Sequence, residues 1–259
     1  MFICGKNDSR CVLSLFPPEI LKRLSQSRKV VVLTGAGISA ESGISTFRGL
    51  GGLWEKVDPV KMATPEAFAE DPQKVWEWVE ARRRQIAGAE PNRGHEVIAW
   101  MEEFFPQVTL VTQNVDRLHQ KAGSRNPLEL HGSLWMIRCT GSPSCGEWED
   151  RHELRNLPPR CPHCGELARP GVVWFGEDLS PDTWSAAEKA AEECDAFFLI
   201  GTSALVQPAA ALPEAPIEKG DLVIEMNPEE TPLSARVTLS VRSKAGETLE
   251  SLKISLLGA

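Results

Sequence analysis

The chain of 259 residues contains no tyrosine, and it holds only five histidines and five methionines. Long apolar runs are missing as well. No stretch approaches the roughly 18 consecutive apolar residues of a membrane span, and Lys6, Asp8 and Arg10 interrupt the segment Met1 to Phe16, which therefore has no secretory apolar core. There is no excess of positive charge. Twenty-eight Lys and Arg against 36 Asp and Glu leave a formal net charge of −8, which argues against a nucleic-acid partner and favours basic proteins by weak long-range attraction. Internal repeats and low-complexity tracts are also absent. These absences give the expectation of a soluble cytoplasmic protein, monomeric, with neither membrane nor nucleic acid among its partners.

What is present begins with Val30-Val31-Val32-Leu33-Thr34, a β-branched run that reads as a buried parallel strand and breaks at Gly35. Gly35-x-Gly37-x-x-Ala40 then has the pattern of a dinucleotide fingerprint: Gly35 for the turn, Gly37 for close approach of backbone to a pyrophosphate, Ala40 for helix packing. Amides at the start of a following helix would face the negative charge. The acidic residue expected about 20 positions later has no second strand to carry it, since Glu55 and Asp58 lie in a Gly- and Pro-flanked stretch.

Strands and helices alternate along most of the chain. An amphipathic helix over 16–28 leads into the first strand, a helix runs from Asp71-Pro72 to about Ala87, and another spans Asn92 to Phe105. Strands are expected at 108–111, 196–200, 222–225 and 236–241, and helices at 181–194 and 246–258. Thr64 is placed to cap a short helix at Pro65, and the Gly-rich stretch 49–65 reads as a mobile loop over the crevice. On the 71–87 helix, Val75, Val79, Arg82 and Ile86 share the apolar stripe, whereas Arg83 and Arg84 read as turned toward solvent. The fold class that follows is α/β, a doubly wound parallel sheet of Rossmann type, with its ligand at the carboxyl ends of the strands.

Of seven cysteines, Cys139, Cys145, Cys161 and Cys164 fall within 26 residues, amid Pro, Gly and charge. That spacing suits four thiolates around a structural Zn²⁺ in a small inserted module over 139–170, leaving 15–138 and 171–259 as the nucleotide-binding domain. His152 or His163 replacing one thiolate is the alternative. His163 lies between two ligands, His152 and His95 sit in what read as polar helical surroundings, and His131 follows an apolar run at the mouth of a crevice. A histidine there suits a general base, although a core or loop histidine is the commoner case. Asn114, after the strand ending at Val111, has the residue type of a helix cap.

Gly35 to Ser39, Thr46-Phe47-Arg48-Gly49, Gly52-Leu53-Trp54, Thr112 to His119, Leu130-His131-Gly132-Ser133-Leu134 and Gly201-Thr202-Ser203 occur in an order that resembles the sirtuins, NAD-dependent protein-lysine deacylases; the likeness runs from about residue 20 to 245. The resemblance implies NAD as a consumed co-substrate and acylated protein lysines as partners. It implies that Gly35, Ala36, Gly37, Ser39, Thr46, Phe47, Arg48 and Trp54 contact NAD, that Asn114 positions its nicotinamide ribose, that Asp116 contacts the carboxamide and that Gln113 lines the ribose pocket. Gly201, Thr202, Ser203, Asn227, Pro228, Glu229 and Ala245 fall to the adenosine half. Arg48 would neutralise phosphate, and Asn227 would supply the ribose hydrogen bond that the missing acid does not. The acyl oxygen would displace nicotinamide, and His131 would take a proton from a ribose hydroxyl, which then attacks the acyl carbon; free lysine and O-acyl-ADP-ribose result. His131 and Asn114 are thus the catalytic pair. Mono-ADP-ribosyl transfer and a non-catalytic NAD-binding adaptor are the competing readings.

Val173, Trp174, Phe175 and Gly176 resemble the family's peptide-binding segment, and Ala63, Ala67, Val79 and Arg82 the wall of its acyl pocket. The branch acting on succinyl, malonyl or glutaryl groups carries Tyr-x-x-Arg; Val79-Glu80-Ala81-Arg82 keeps the arginine and lacks the phenol. A buried arginine needs an anionic partner, either an acidic acyl group or an internal carboxylate. Deacetylation, with activity on acidic or longer acyl chains that depends on Arg82, is the expectation.

Overall fold

A computed structural model describes residues 15–47 and 52–258. In chain order it contains α1 (Pro18–Gln26), β1 (Lys29–Thr34), α2 (Leu53–Lys56), α3 (Pro65–Glu70), α4 (Pro72–Ala87), α5 (Arg93–Phe104), β2 (Gln107–Thr112), α6 (Leu118–Lys121), β3 (Leu128–Glu129), β4 (Gly132–Cys139), β5 (Glu147–Glu149), β6 (Ala168–Val172), α7 (Pro181–Glu193), β7 (Ala196–Ile200), α8 (Glu214–Lys219), β8 (Leu222–Met226), β9 (Leu239–Val241) and α9 (Ala245–Leu257). Proline at the first turn of α1, α3, α4 and α7 presets φ where no amide donor is needed. Thr64, Asp71 and Ser180 cap the last three by accepting a backbone N–H.

Six strands form one parallel sheet in the order β3-β2-β1-β7-β8-β9. The apolar runs are continuous because both faces are covered. Val30 and Val32 pack on one side with Leu24, Ile98, Met101 and Leu252 of α1, α5 and α9. Val31 and Leu33 pack on the other with Ala187 and Ala191 of α7. Strand order reverses between β1 and β7, so the turns after Thr34 and Ile200 meet at the switch point where doubly wound sheets open a crevice.

A smaller antiparallel sheet, β5-β4-β6, carries the cysteines. Its strands reach back to Gly132 and forward to Val172. A third core lies between this sheet and helices α3 and α4, around Trp76, Phe68, Trp135 and Trp174.

Four local expectations are corrected. The segment after Gly35 is a 3-10 helix, Ala36–Ser42, not an α-helix, and Ala40 is exposed rather than packed beneath it. The strand expected over 236–241 begins only at Leu239, because Leu233 accepts bonds from the amides of Arg236 and Val237 and turns the chain there. His95 is fully buried in a capping box with Asn92, and His152 lies outside any helix. Arg83 does not face solvent; it is 1% exposed.

Candidate functional site

The turns after β1 and β7 interlock through backbone. Gly35 N donates to Ile200 O at 3.0 Å and Gly37 N to Gly201 O at 2.8 Å. A Cβ on Gly37 would fall 2.7 Å from Gly201 Cα, and one on Gly201 2.5 Å from Ile38 N, at a φ of +59°. Glycine here serves the contact between two turns, and two of the amides expected to face a ligand are already engaged.

A cavity of about 740 Å³ opens above this junction. Gly35, Ala36, Gly37, Thr46, Phe47, Gln113, Asn114, Gly201, Thr202, Ser203, Asn227, Pro228, Glu229 and Ala245 line it, the first and later turns meeting where Gln113 Nε2 donates to Thr202 Oγ1 at 3.0 Å. His131 stands in the same wall, and Ala63, Val79, Arg82, Val173, Trp174, Phe175 and Gly176 complete it. Ser39 and Asp116 lie behind the wall, and Ala67 packs with Phe68 and Trp174 away from the cavity. Arg48 and the side chain of Trp54 lie outside the described residues.

His131 Nδ1 lies 3.0 Å from the Gln113 carbonyl, which can only accept, so Nδ1 carries the proton and Nε2 keeps its lone pair. Burial holds the imidazole below the usual histidine range, partly offset by that hydrogen bond. The ring is neutral at physiological pH and able to take a proton.

Behind Asn114 a buried polar chain fixes its position. Asn92 N donates to His95 Nδ1 at 3.3 Å, which leaves the proton on Nε2, 3.4 Å from Ser39 Oγ. Ser39 Oγ donates to Asp116 Oδ2 at 2.7 Å and accepts from Asn114 Nδ2 at 3.3 Å. Burial raises the Asp116 carboxyl above its ordinary value despite bonds from Leu118 N and Ser39. Asn114 is therefore an anchored side chain and not a helix cap. Asn227 Nδ2 donates to Thr202 O at 2.7 Å, so its amide shapes the loop. Loop 227–232 hangs on Glu225, which is 1% exposed and accepts from Thr231, Ser234 (2.7 Å), Ser240 (2.6 Å) and Arg242 (3.0 Å). An acid inside the buried strand Leu-Val-Ile-Glu-Met was the signal for this anchor.

The segment 173–176 continues from β6 into a turn, with Gly176 at φ +87° and Glu177 N donating to Trp174 O at 3.1 Å. Val173 N donates to His131 O at 3.0 Å and Phe175 N to Ala63 O at 2.9 Å. Arg169 packs its guanidinium 3.6 Å from the Trp174 ring centre and pairs with Glu177, whose Oε2 takes Trp174 N at 2.9 Å. Arg82 is 6% exposed, bonds Gln85 Oε1 at 2.8 Å and faces the Phe47 ring at 5.6 Å. Its Nε has no hydrogen-bond partner, and among the described residues no carboxylate lies within ion-pair distance. Burial lowers its affinity for a proton, and the Asp116 charge opposes this from a distance.

In the smaller sheet, the ligand atoms of Cys139, Cys145, Cys161 and Cys164 lie within 4.8 Å of one another, Cys139 and Cys164 at 3.5 Å. Zn–S bonds of about 2.3 Å place sulfurs about 3.8 Å apart in a tetrahedron, so the four thiols fit one Zn²⁺. A 3-10 turn, Pro143–Cys145, takes up the extra residues of the first pair. Neither His152 nor His163 joins the group, which removes the alternative ligand set.

A doubly wound parallel sheet with a nucleotide-sized crevice at its switch point, joined to a four-cysteine zinc module, defines the class. The chain belongs to the Sir2 family, whose model matches residues 35–208. It is 48% identical over 234 residues to NAD-dependent protein deacylase 1 of Archaeoglobus fulgidus, a match spanning 90% of this chain and 95% of the relative. Among solved structures, a Sir2 homologue–NAD complex matches with TM-score 0.88 and 46% identity over 93% of this chain and 94% of the other. A mutant Sir2 homologue bound to ADP-ribose matches with TM-score 0.90 and 45% identity, covering 94% and 97%. Among the described residues no helix is long and apolar enough to cross a membrane.

Proposed function

We propose that this protein is an NAD-dependent protein-lysine deacylase that passes the acyl group to ADP-ribose, releasing nicotinamide and free lysine. The observation that carries this reading is His131, a neutral imidazole with a fixed tautomer, in the wall of a cavity shared by the Gly35 and Gly201 turns and the 173–176 segment. NAD supplies a labile bond between nicotinamide and ribose. Asn114, held by Ser39, orients the ribose beside that bond, with Asp116 behind it. Gln113 lines the ribose pocket, and Thr202, Ser203 and the 227–229 loop take the adenosine. The segment 173–176 receives an extended peptide by backbone pairing, so that target sequence matters little. His131 Nε2 takes the proton from a ribose hydroxyl.

Cys139, Cys145, Cys161 and Cys164 hold Zn²⁺ as a closed structural site within 139–170, the remainder of the chain forming the NAD-binding domain. Free thiolates suit a reducing compartment, and we assign the protein to the cytoplasm as a monomer.

The unpaired Arg82 further supports an acidic acyl group, whose carboxylate would meet the guanidinium; Val79 and Ala63 line the same cavity with small apolar side chains. Peptides carrying acetyl-, succinyl- or myristoyl-lysine, incubated with NAD and followed by mass spectrometry, test both levels. Nicotinamide and O-acyl-ADP-ribose are expected; ADP-ribosylated protein would mark the transferase reading instead, and NAD binding without turnover an adaptor. Arg82→Met should cost about 10- to 100-fold in kcat/KM on succinyl-lysine, from loss of a charge-assisted contact, and little on acetyl-lysine. Succinyl turnover indifferent to the change would remove the assignment of Arg82.

A further inference from the structure

Helix α4 faces two neighbours at once. Val79 and Arg82 look into the cavity. On the adjoining stripe, Trp76, Glu80 and Arg83 are gripped by the cysteine-bearing sheet and the loop that follows β5. Trp76 Nε1 donates to Ala168 O at 2.8 Å, and Leu154 N donates to Glu80 Oε1 at 3.2 Å. Arg83 donates from Nη1 to Leu134 O at 3.0 Å and from Nη2 to the carbonyls of Asp150 at 2.7 Å and His152 at 2.8 Å. Its Nε lies 3.1 Å from Glu80 Oε2, and its guanidinium lies over the Trp135 ring at 5.1 Å.

We propose that Arg83 is the positioning residue of the acyl pocket, setting where Arg82 and Val79 stand relative to His131. Leu134 belongs to β4, the strand that begins directly after His131, and its side chain lines the cavity. One guanidinium thus ties the helix that bears the acyl-facing side chains to the strand that leaves the base. Stability alone does not account for this choice of residue, because apolar packing commonly replaces a buried ion pair without loss. What an apolar residue cannot reproduce is a planar fork that fixes three carbonyls from two segments at defined angles. The adenosine end of the cavity is built from other elements, the turns after β7 and β8, which take no part in the bonds that Arg83 makes.

This inference rests on the deacylase reading. Its test compares wild type with Arg83→Lys, which keeps the charge opposite Glu80 but loses the fork, and with the double variant Glu80→Gln/Arg83→Met, which removes both charges of the buried pair and leaves only the part-exposed Asp150 carboxylate, 3.8 Å from the guanidinium, without it. Each is followed by thermal melting, NAD affinity by calorimetry, and KM and kcat on acetyl- and succinyl-lysine peptides. In both variants the peptide KM should rise about tenfold, the scale expected of a small misplacement at a reacting site. The succinyl-to-acetyl ratio of kcat/KM should shift about fivefold, and NAD affinity should stay within about twofold. Rescue in part by Arg83→Lys relative to the double variant would agree. Folded variants with wild-type peptide KM, a proportionate loss of NAD and peptide binding, or failure of both variants to fold would each overturn it. Wild type that turns over no acyl peptide would instead sink the deacylase reading beneath it.

Discussion

His131 shows how one side chain is prepared by its surroundings. Its Nδ1 proton is committed to the Gln113 carbonyl at 3.0 Å, and burial keeps the ring from charging. The base form therefore persists to lower pH than for a histidine in water, since a depressed pKa means that protonation needs more acid. The acid limb of kcat/KM on an acyl peptide should have its midpoint below 6.5, the ordinary histidine value. His131→Ala should remove that limb and lower kcat about 10²- to 10⁴-fold, the usual contribution of a positioned base, while NAD remains bound. A midpoint at or above 6.5 would contradict the burial account. The other residues around the ring act by holding it: Val173 N bonds the carbonyl of residue 131 itself, so the 173–176 segment and the base share one backbone anchor.

At the level of elements, β4 links the two centres. It starts beside His131 and ends at Cys139, one of the four thiols. Removing the metal should loosen this strand from its far end. Cys164 is the exposed member of the set, so Cys164→Ser removes a ligand at little packing cost. That variant, or the wild type treated with a strong zinc chelator, should lose about one zinc per chain, melt several degrees lower, and bind acyl peptide less well than it binds NAD. Unchanged melting after verified metal loss would show the module to be self-supporting.

The same elements divide into those legible in the sequence and those not. The large sheet was readable because its strands are buried on both faces and so appear as unbroken apolar runs, Val30–Leu33 and Ala196–Ile200 among them. The cysteine spacing likewise disclosed the ligand set before any strand of its module was visible. The antiparallel strands β4 and β6 escaped notice, since Gly-Ser-Leu-Trp-Met-Ile-Arg-Cys and Ala-Arg-Pro-Gly-Val follow no alternation of polar and apolar residues. Arg83 was misread because it sits in a run of three arginines, where charge normally marks a solvated face. Only the helical spacing of Trp76, Glu80 and Arg83 hinted at a buried stripe. The anchor role of Asn227 depends on its meeting Thr202, 25 residues away, which no local pattern records.

For the molecule as a whole, the buried histidines tie stability to pH. His95 is 0% and His119 1% exposed, with ring centres 4.9 Å apart, packed between α5, the Gly35 turn and the sheet. Burial pushes His95 down to about 4, and burial together with its neighbour pushes His119 well below 6.5. Below pH 6.5 the unfolded chain takes up protons at both positions and the folded chain does not. Unfolding free energy therefore falls as pH falls, by up to about 1.4 kcal/mol per pH unit for each histidine. The contribution is fully present above pH 6.5. For His95 it declines by about 3 kcal/mol in total between pH 6.5 and 4. Melting temperature followed from pH 7.5 to 4.5 should drop along this window, before ordinary carboxylates titrate. His95→Gln keeps a donor toward Ser39 and an acceptor toward Asn92, and it should make the decline over that window about half as steep. A slope identical to wild type in a folded His95→Gln protein would mean that His95 takes up its proton in the native state as readily as in the unfolded chain. The bond from Asn92 N to its Nδ1 would then have to be absent as well.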